Sequence, residues 1–158
     1  MIGTEIHNLA TKLWSINRSI TGEGVRKTLQ HLKNEYLPTL NIESVPSGTK
    51  VFDWVVPPEW HVSKAYIITP EGKKVCNFSD NNLHLVGYSI PFHGKMQLEE
   101  LQKYLYSLPE QTNAIPYITS YYKKRWGFCL TQEQRDGLKE GEYEIVIDSK
   151  LFSGQLNY

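Results

Sequence analysis

The sequence predicts an α+β protein: a helical hairpin at the front, then a β-rich stretch that carries one or two helices. Three observations point there. Apolar residues return at helical spacing as far as Tyr36. From about Asn41, β-branched and aromatic residues collect in short runs separated by Gly, Pro and Ser. Near the end, Tyr143, Ile145 and Ile147 alternate with Glu144, Val146 and Asp148, the two-residue period of a strand.

Ile6, Leu9 and Leu13 share one side of the first helix, with Thr4 placed to cap its start. A break follows over residues 17–24. Thr21 is placed to cap a second helix whose inner face is Val25, Leu29, Leu32 and Tyr36, and Pro38 stops it. Such a hairpin needs a partner surface for its apolar stripe. Strands are expected at residues 42–45, 50–56 and 65–68. The turn Thr69-Pro70-Glu71-Gly72 leads into another at 74–78, and 83–88 reads as a further strand. Residues 97–108 return to a helix, with Leu98, Leu101 and Leu105 on one face and Pro109 at its end. Strands are expected at 119–122 and 126–130. Thr131 and Gln134 fit a capping box that opens a short helix closed by Gly137. The last stretch, residues 151–158, resembles the start of a further strand and turn, so the reading expects an incomplete domain.

A chain of 158 residues suffices for one domain, or for a domain and a piece of another. Ten Tyr, five Phe and four Trp give it ample apolar surface to bury, which excludes a disordered chain. Seventeen basic residues balance seventeen acidic ones, so no general electrostatic drive toward nucleic acid or an anionic membrane exists. The tip Lys123-Lys124-Arg125 is a local basic run of three. The start lacks a secretory leader pattern, and no apolar run approaches the roughly 18 residues of a membrane span. Cys76 and Cys129 are far apart in sequence and outside any CxxC or zinc-finger spacing; one disulfide between them stays open geometrically. The simplest setting is the cytoplasm, with reduced thiols.

Gly22-Glu23-Gly24 has the look of a phosphate-binding turn, but Lys27 stands where a third glycine would be, and a helix precedes it. A helix cap is the better reading. His7, His31, His61, His84 and His93 form no HExxH and no tight ligand spacing. His84 and His93 flank the run ending at Tyr88 and could meet Asp80 or Cys76, although structural roles fit them better. No nucleophile elbow surrounds Ser89, Ser120 or Ser149. Cys129 sits in an apolar strand, the ordinary place of an inert core thiol. Glu99, Glu100 and Asp136 read as solvated helix faces. No catalytic or metal-ligating residue is assigned.

The densest constellation runs from Pro116 to Trp126. Tyr117, Tyr121, Tyr122 and Trp126 offer flat apolar faces with polar edges, suited to a sugar or to the wall of a substrate cleft. Lys123, Lys124 and Arg125 could hold a carboxylate or phosphate. Tyr117, Tyr121, Tyr122, Arg125 and Trp126 are therefore the candidate substrate-binding residues. A strand pair with aromatic inner faces and a charged tip remains open as the plainer alternative.

Several phrases together carry a resemblance. They are Arg18-Ser19-Ile20-Thr21-Gly22 running to Leu29, then Ser47-Gly48-Thr49-Lys50-Val51-Phe52-Asp53-Trp54 running to Trp60. Asn82 to Ser89, Leu105 to Pro109, Ile115 to Cys129 and Gly141 to Ser149 complete the set. In this order they resemble the aminopeptidase-like proteins often encoded with bacterial surface-polysaccharide biosynthesis genes. The resemblance implies a longer protein with a zinc-aminopeptidase-like α/β domain, a β-rich domain inserted near the front and a winged-helix-like region at the end. Residues 1–45 would pack on the hydrolase domain, residues 46–130 would form the inserted β-rich domain, and residues 131–158 would return toward the hydrolase. The family's Cys-His-Pro ligand segment matches nothing in this sequence, so no cofactor is expected in this chain and zinc belongs to the longer protein.

The expected role is the N-terminal portion of an aminopeptidase-like metallohydrolase that shapes the substrate cleft without supplying catalytic residues. The alternative is a non-catalytic module binding carbohydrate or peptide. Expected partners are a peptide or amino-sugar-linked substrate and the remainder of the aminopeptidase-like domain, without nucleic acid or membrane. The oligomeric state is not written in the sequence.

Overall fold

The structure, a computed structural model, describes residues 2–158. Helix α1 is Ile2–Trp14 and α2 is Glu23–Glu35; the short strands β1 Ser44–Pro46, β2 Lys50–Val51 and β3 Trp54–Val55 follow. Next come the long strand β4 Glu59–Ile68, β5 Lys74–Val75, β6 Phe92–Gln97, the one-turn helix α3 Leu98–Leu101 and β7 Leu105–Tyr106. The chain closes with β8 Phe128–Cys129, α4 Gln132–Asp136, the long strand β9 Glu142–Phe152 and β10 Gln155–Asn157. This is the expected α+β class. The elements group into two compact units, Met1–His61 with Leu151–Tyr158, and Val62–Lys150.

In the first unit the helices are amphipathic but thinly covered. Leu9 and Leu13 are half-buried, whereas Ile2, Ile6 and Trp14 face solvent. Thr4 lies inside α1 and so does not cap it. Gly22, at φ 108° and without a side chain, takes the cap position of α2 in place of Thr21, whose hydroxyl donates to Pro58 O at 3.0 Å. Tyr36 is the residue that ends α2 and is exposed, so it leaves the inner face to Val25, Leu29 and Leu32. Gly24 is required sterically: a Cβ there would stand 1.9 Å from Asn17 O. The expected strand over residues 50–56 is instead a hairpin, with β2 and β3 paired antiparallel around Phe52 and Asp53. Strand β10 pairs antiparallel with β1, Ser44 opposite Asn157.

One ion pair ties this unit together. Arg26 Nη1 and Nη2 donate to the two Glu59 carboxylate oxygens at 2.7 and 2.9 Å, and Gln155 N donates to Glu59 Oε1 at 3.0 Å. Glu59 is buried, so helix α2, the start of β4 and β10 converge on one desolvated carboxylate. The guanidinium hydrogen bond, ahead of the opposing effect of burial, holds its carboxyl below the usual range.

The second unit is built on a sheet in the order β5-β4-β9-β6. The 69–72 turn is as expected, with Gly72 N donating to Thr69 O, and it feeds β5 into register with Ile67 and Ile68. Strand β9 buries Tyr143, Ile145 and Ile147, and Val146 as well, so its other face is covered there too. Strand β6, opposite β9 from Phe92–Ile147 to Gln97–Glu142, has no counterpart in the sequence reading. The capping box at Thr131 and Gln134 is present, and Gly137 ends α4.

Three expected elements change character. Residues 83–88 are not a strand: Asn81 Oδ1 accepts from Leu83 N and folds Asn82–His84 into a 3₁₀ turn. Leu85 and Gly87 then make single bridges to two different partners, Phe128 and Thr119. The helix over 97–108 is α-helical only to Leu101 and tightens to a 3₁₀ turn over Gln102–Tyr104, and then Leu105 and Tyr106 pair in parallel with Phe128 and Cys129. Leu98, Leu101 and Leu105 are all buried as expected, the last from a strand. Residues 119–122 form a turn, not a strand, since Ser120 Oγ donates to Lys123 O and Arg125 takes Thr119 O.

Candidate functional site

The aromatic segment splits into a buried half and a bare half. Trp126 is buried and stacked with two rings: Tyr104 at 4.0 Å with planes 4° apart, and Phe92 at 4.3 Å and 24°. Neither indole face is open to a ligand. Gly127 makes this stack feasible, because a Cβ there would meet the Tyr106 ring at 2.7 Å and Tyr104 O at 2.9 Å. Tyr121 is half-buried with its ring edge-on to Tyr88 at 4.8 Å. Burial foremost, then its hydrogen bond to Tyr117, pushes its phenol well above the usual range, so it stays protonated.

Arg125 is a brace. Its Nε donates to Ser120 Oγ at 3.1 Å and its Nη2 to Thr119 O at 3.0 Å, while the guanidinium lies 5.9 Å from the Tyr106 ring centre. Those bonds hold the 119–125 turn in shape. The turn presents outward Tyr122, 69% exposed, with Lys123 and Lys124 following it in the chain, and Tyr117, two residues before the turn, is 68% exposed. Of the five candidate binding residues, Tyr117 and Tyr122 thus stand at the surface; Tyr121 and Arg125 support them from below, and Trp126 anchors the loop to the core. The surface they form can lay a ring edge and an ammonium against a flat, partly anionic ligand.

Several other chemistry-bearing groups bond to the backbone or lie buried. His84 Nδ1 donates to Cys129 O at 2.8 Å inside the core, which sets its tautomer. Cys76 and Cys129 are free and buried; burial foremost pushes both thiols up to about 12. Ser149 Oγ donates to Ser89 O and Ser89 Oγ to Val86 O, so both hydroxyls serve backbone carbonyls. Among the described residues, no three His, Cys, Asp or Glu side chains converge as a metal-binding group. Nor, among the described residues, is any helix long and apolar enough to cross a membrane.

A cavity of about 460 Å³ in the second unit escaped the sequence reading. Val75, Leu130, Leu138 and Tyr143 line it, with Glu71 and Lys139 among its polar residues. Its walls come from β5, β9 and the stretch after α4, segments that no local pattern links. Glu71 and Lys139 lie 3.5 Å apart.

The fold is a mixed α+β module in which His84, Ser89 and Ser149 bond to backbone carbonyls while Tyr117 and Tyr122 stand exposed. The profile of a family described as "Domain of unknown function (DUF2172)" matches residues 59–150, and the chain belongs to that family. Over 156 residues, 99% of this chain, it is 51% identical to a Clostridium acetobutylicum protein named "Putative polysaccharide biosynthesis protein with aminopeptidase-like domain". It also superposes, with a TM-score of 0.92 and 50% identity over 99% of its length, on the crystal structure of a "putative peptidase" from Clostridium acetobutylicum. The resemblance to the aminopeptidase-like proteins holds. In both comparisons the chain spans 36% of the relative's length.

Proposed function

We propose that this chain is the non-catalytic part of an aminopeptidase-like metallohydrolase of bacterial polysaccharide biosynthesis, acting in the cytoplasm and shaping the entrance to its substrate cleft. The observation that carries this reading is the 51% identity across nearly the whole chain to a relative whose name joins those two terms. In this scheme residues 1–45 and 131–158 belong with the aminopeptidase-like domain and residues 46–130 are inserted into it. Zinc and the groups that activate water belong to the rest of the longer protein, so no hydrolytic step runs through residues described here. Tyr117 and Tyr122 receive the flat face of a peptide or amino-sugar-linked substrate, and Lys123 and Lys124 draw in its carboxylate. Tyr121 and Arg125 keep that surface in shape.

The test replaces the matched part of the Clostridium acetobutylicum protein with this chain and measures binding of peptides and amino-sugar-linked peptides. The double variant Tyr117→Ala, Tyr122→Ala is expected to weaken binding about tenfold, in keeping with one or two lost aromatic contacts. Unchanged binding would sink the cleft role. Hydrolysis by the isolated chain would sink the non-catalytic reading. The exposure of Tyr117 and Tyr122 also favours a second reading, a free-standing carbohydrate or peptide module. Saturable binding by the isolated chain, lost in the same double variant, would select it.

A further inference from the structure

The β2–β3 hairpin presents an aromatic ring that nothing in the described structure covers. Phe52 is 100% exposed, and its neighbours Val51 and Val55 are 37% and 42% exposed. The backbone there is strained as well: Phe52 sits at φ 57°, a left-handed conformation that bulky side chains rarely adopt and that a glycine or asparagine would take more readily. A bare ring at a strained position is costly to keep twice over, once in water contact and once in backbone energy.

The hairpin that carries it is held firmly. Ser47 N donates to Gly154 O at 2.9 Å, Ser47 Oγ donates to Pro57 O at 2.9 Å, and Gly154 N donates back to Ser47 Oγ at 3.2 Å. Gly48 N donates to Val56 O at 2.8 Å and Val56 N to Thr49 O at 3.0 Å. A rigid stalk ending in one ring and two flanking valines is the form of a preorganised anchor, whose docking forfeits little side-chain freedom.

Size selects the occupant. One ring and two valines fall far short of the area on which two free proteins associate stably, so a second copy is a poor partner. They suffice where the partner is already tethered, because effective concentration replaces area. Nearly two-thirds of each relative's length lies outside the match.

We propose that the β2–β3 hairpin is an interdomain anchor: Phe52 enters an apolar recess on the aminopeptidase-like portion of the longer protein, with Val51 and Val55 closing over its rim. This rests on the function proposed above. It is tested by hydroxyl-radical footprinting of Phe52, read by mass spectrometry. The isolated chain is compared with the chimera in which it replaces the matched part of the Clostridium acetobutylicum protein, with radical dose matched through an added reporter peptide. Oxidation of Phe52 is expected to fall at least tenfold in the chimera. In addition, Phe52→Asp should split the chimera's single thermal transition in two while Phe52→Leu keeps it single. Equal oxidation in a folded chimera overturns the anchor, and so does protection of the isolated chain that grows with its concentration, which would indicate a second copy. If the chimera does not fold, the native Clostridium protein is footprinted at the residue aligned with Phe52, and exposure there overturns it equally. The readout is independent of ligand binding: a protected Phe52 in a chimera whose binding ignores Tyr117 and Tyr122 keeps the anchor and discards the cleft role.

Discussion

Replacing Glu59 by Gln isolates the charge on which the first unit converges. The side chain is 5% exposed and accepts three hydrogen bonds, two of them from an Arg26 side chain that is 32% exposed. Glutamine keeps the shape and one acceptor, so the bond from Gln155 N survives. What is lost is the bond from Arg26 Nη2, whose acceptor becomes an amide NH2, together with the charge assistance of the bond from Nη1. A hydrogen bond to a charged group contributes about 1.5–3 kcal/mol, and the partly exposed Arg26 recovers some hydration, so the net loss at pH 7 should be about 2–3 kcal/mol. The sign with pH follows from the carboxyl. Its folded pKa lies below the unfolded value of about 4.3, chiefly because of Arg26, so its stabilisation is complete above that value. It is lost as pH falls through the folded pKa, where the wild-type carboxyl becomes as neutral as the amide. Urea unfolding followed by circular dichroism should show wild type and Glu59→Gln furthest apart at pH 7 and converging as pH falls below about 4. A difference under about 1 kcal/mol at pH 7, or one that persists unchanged at the acid end, would refute the reasoning.

Two further outcomes follow from the core. Trp126→Ala removes the middle ring of the Tyr104–Trp126–Phe92 stack and should cost about 3–5 kcal/mol, read as a shift of the urea midpoint with little change in slope; a loss below about 1 kcal/mol would mean the ring is not a core element. Ellman's reagent at pH 8 should find both thiols silent in the folded chain. At a pKa of about 12 only about one thiol in ten thousand is ionised there, and both react once urea unfolds the chain. Labelling of either at the rate of an unfolded cysteine would contradict their placement.

Local patterns carried the parts of the fold that local forces decide. The capping box at Thr131 needs only residues within one turn, and the alternation through β9 reports a face the strand keeps along its length. Leu105 shows where such patterns fail. Its helical spacing from Leu98 and Leu101 is real and its burial is as expected, yet pairing with Phe128 places it in a strand. That partner lies 23 residues away, beyond any window of periodicity. Strand β6 was hidden differently: Gly94 and Lys95 dilute its apolar alternation, and only the register with β9 reveals it. At the candidate site, residue type made Trp126 as attractive as Tyr122. Only the positions of Tyr104 and Phe92 tell a core indole from a surface phenol. The exposed Phe52 could not be read at all, since an aromatic between Val51 and Trp54 looks like any buried strand residue.

The path of the backbone through the second unit has a consequence of its own. That unit begins on β4 and ends on β9, and these are neighbours in its sheet. A module whose way in and way out lie side by side can be lifted from one host loop and set into another without stretching either. The family match, residues 59–150, nearly coincides with it. Loops elsewhere in that unit can vary in length and sequence without disturbing the two strands by which the chain enters and leaves it.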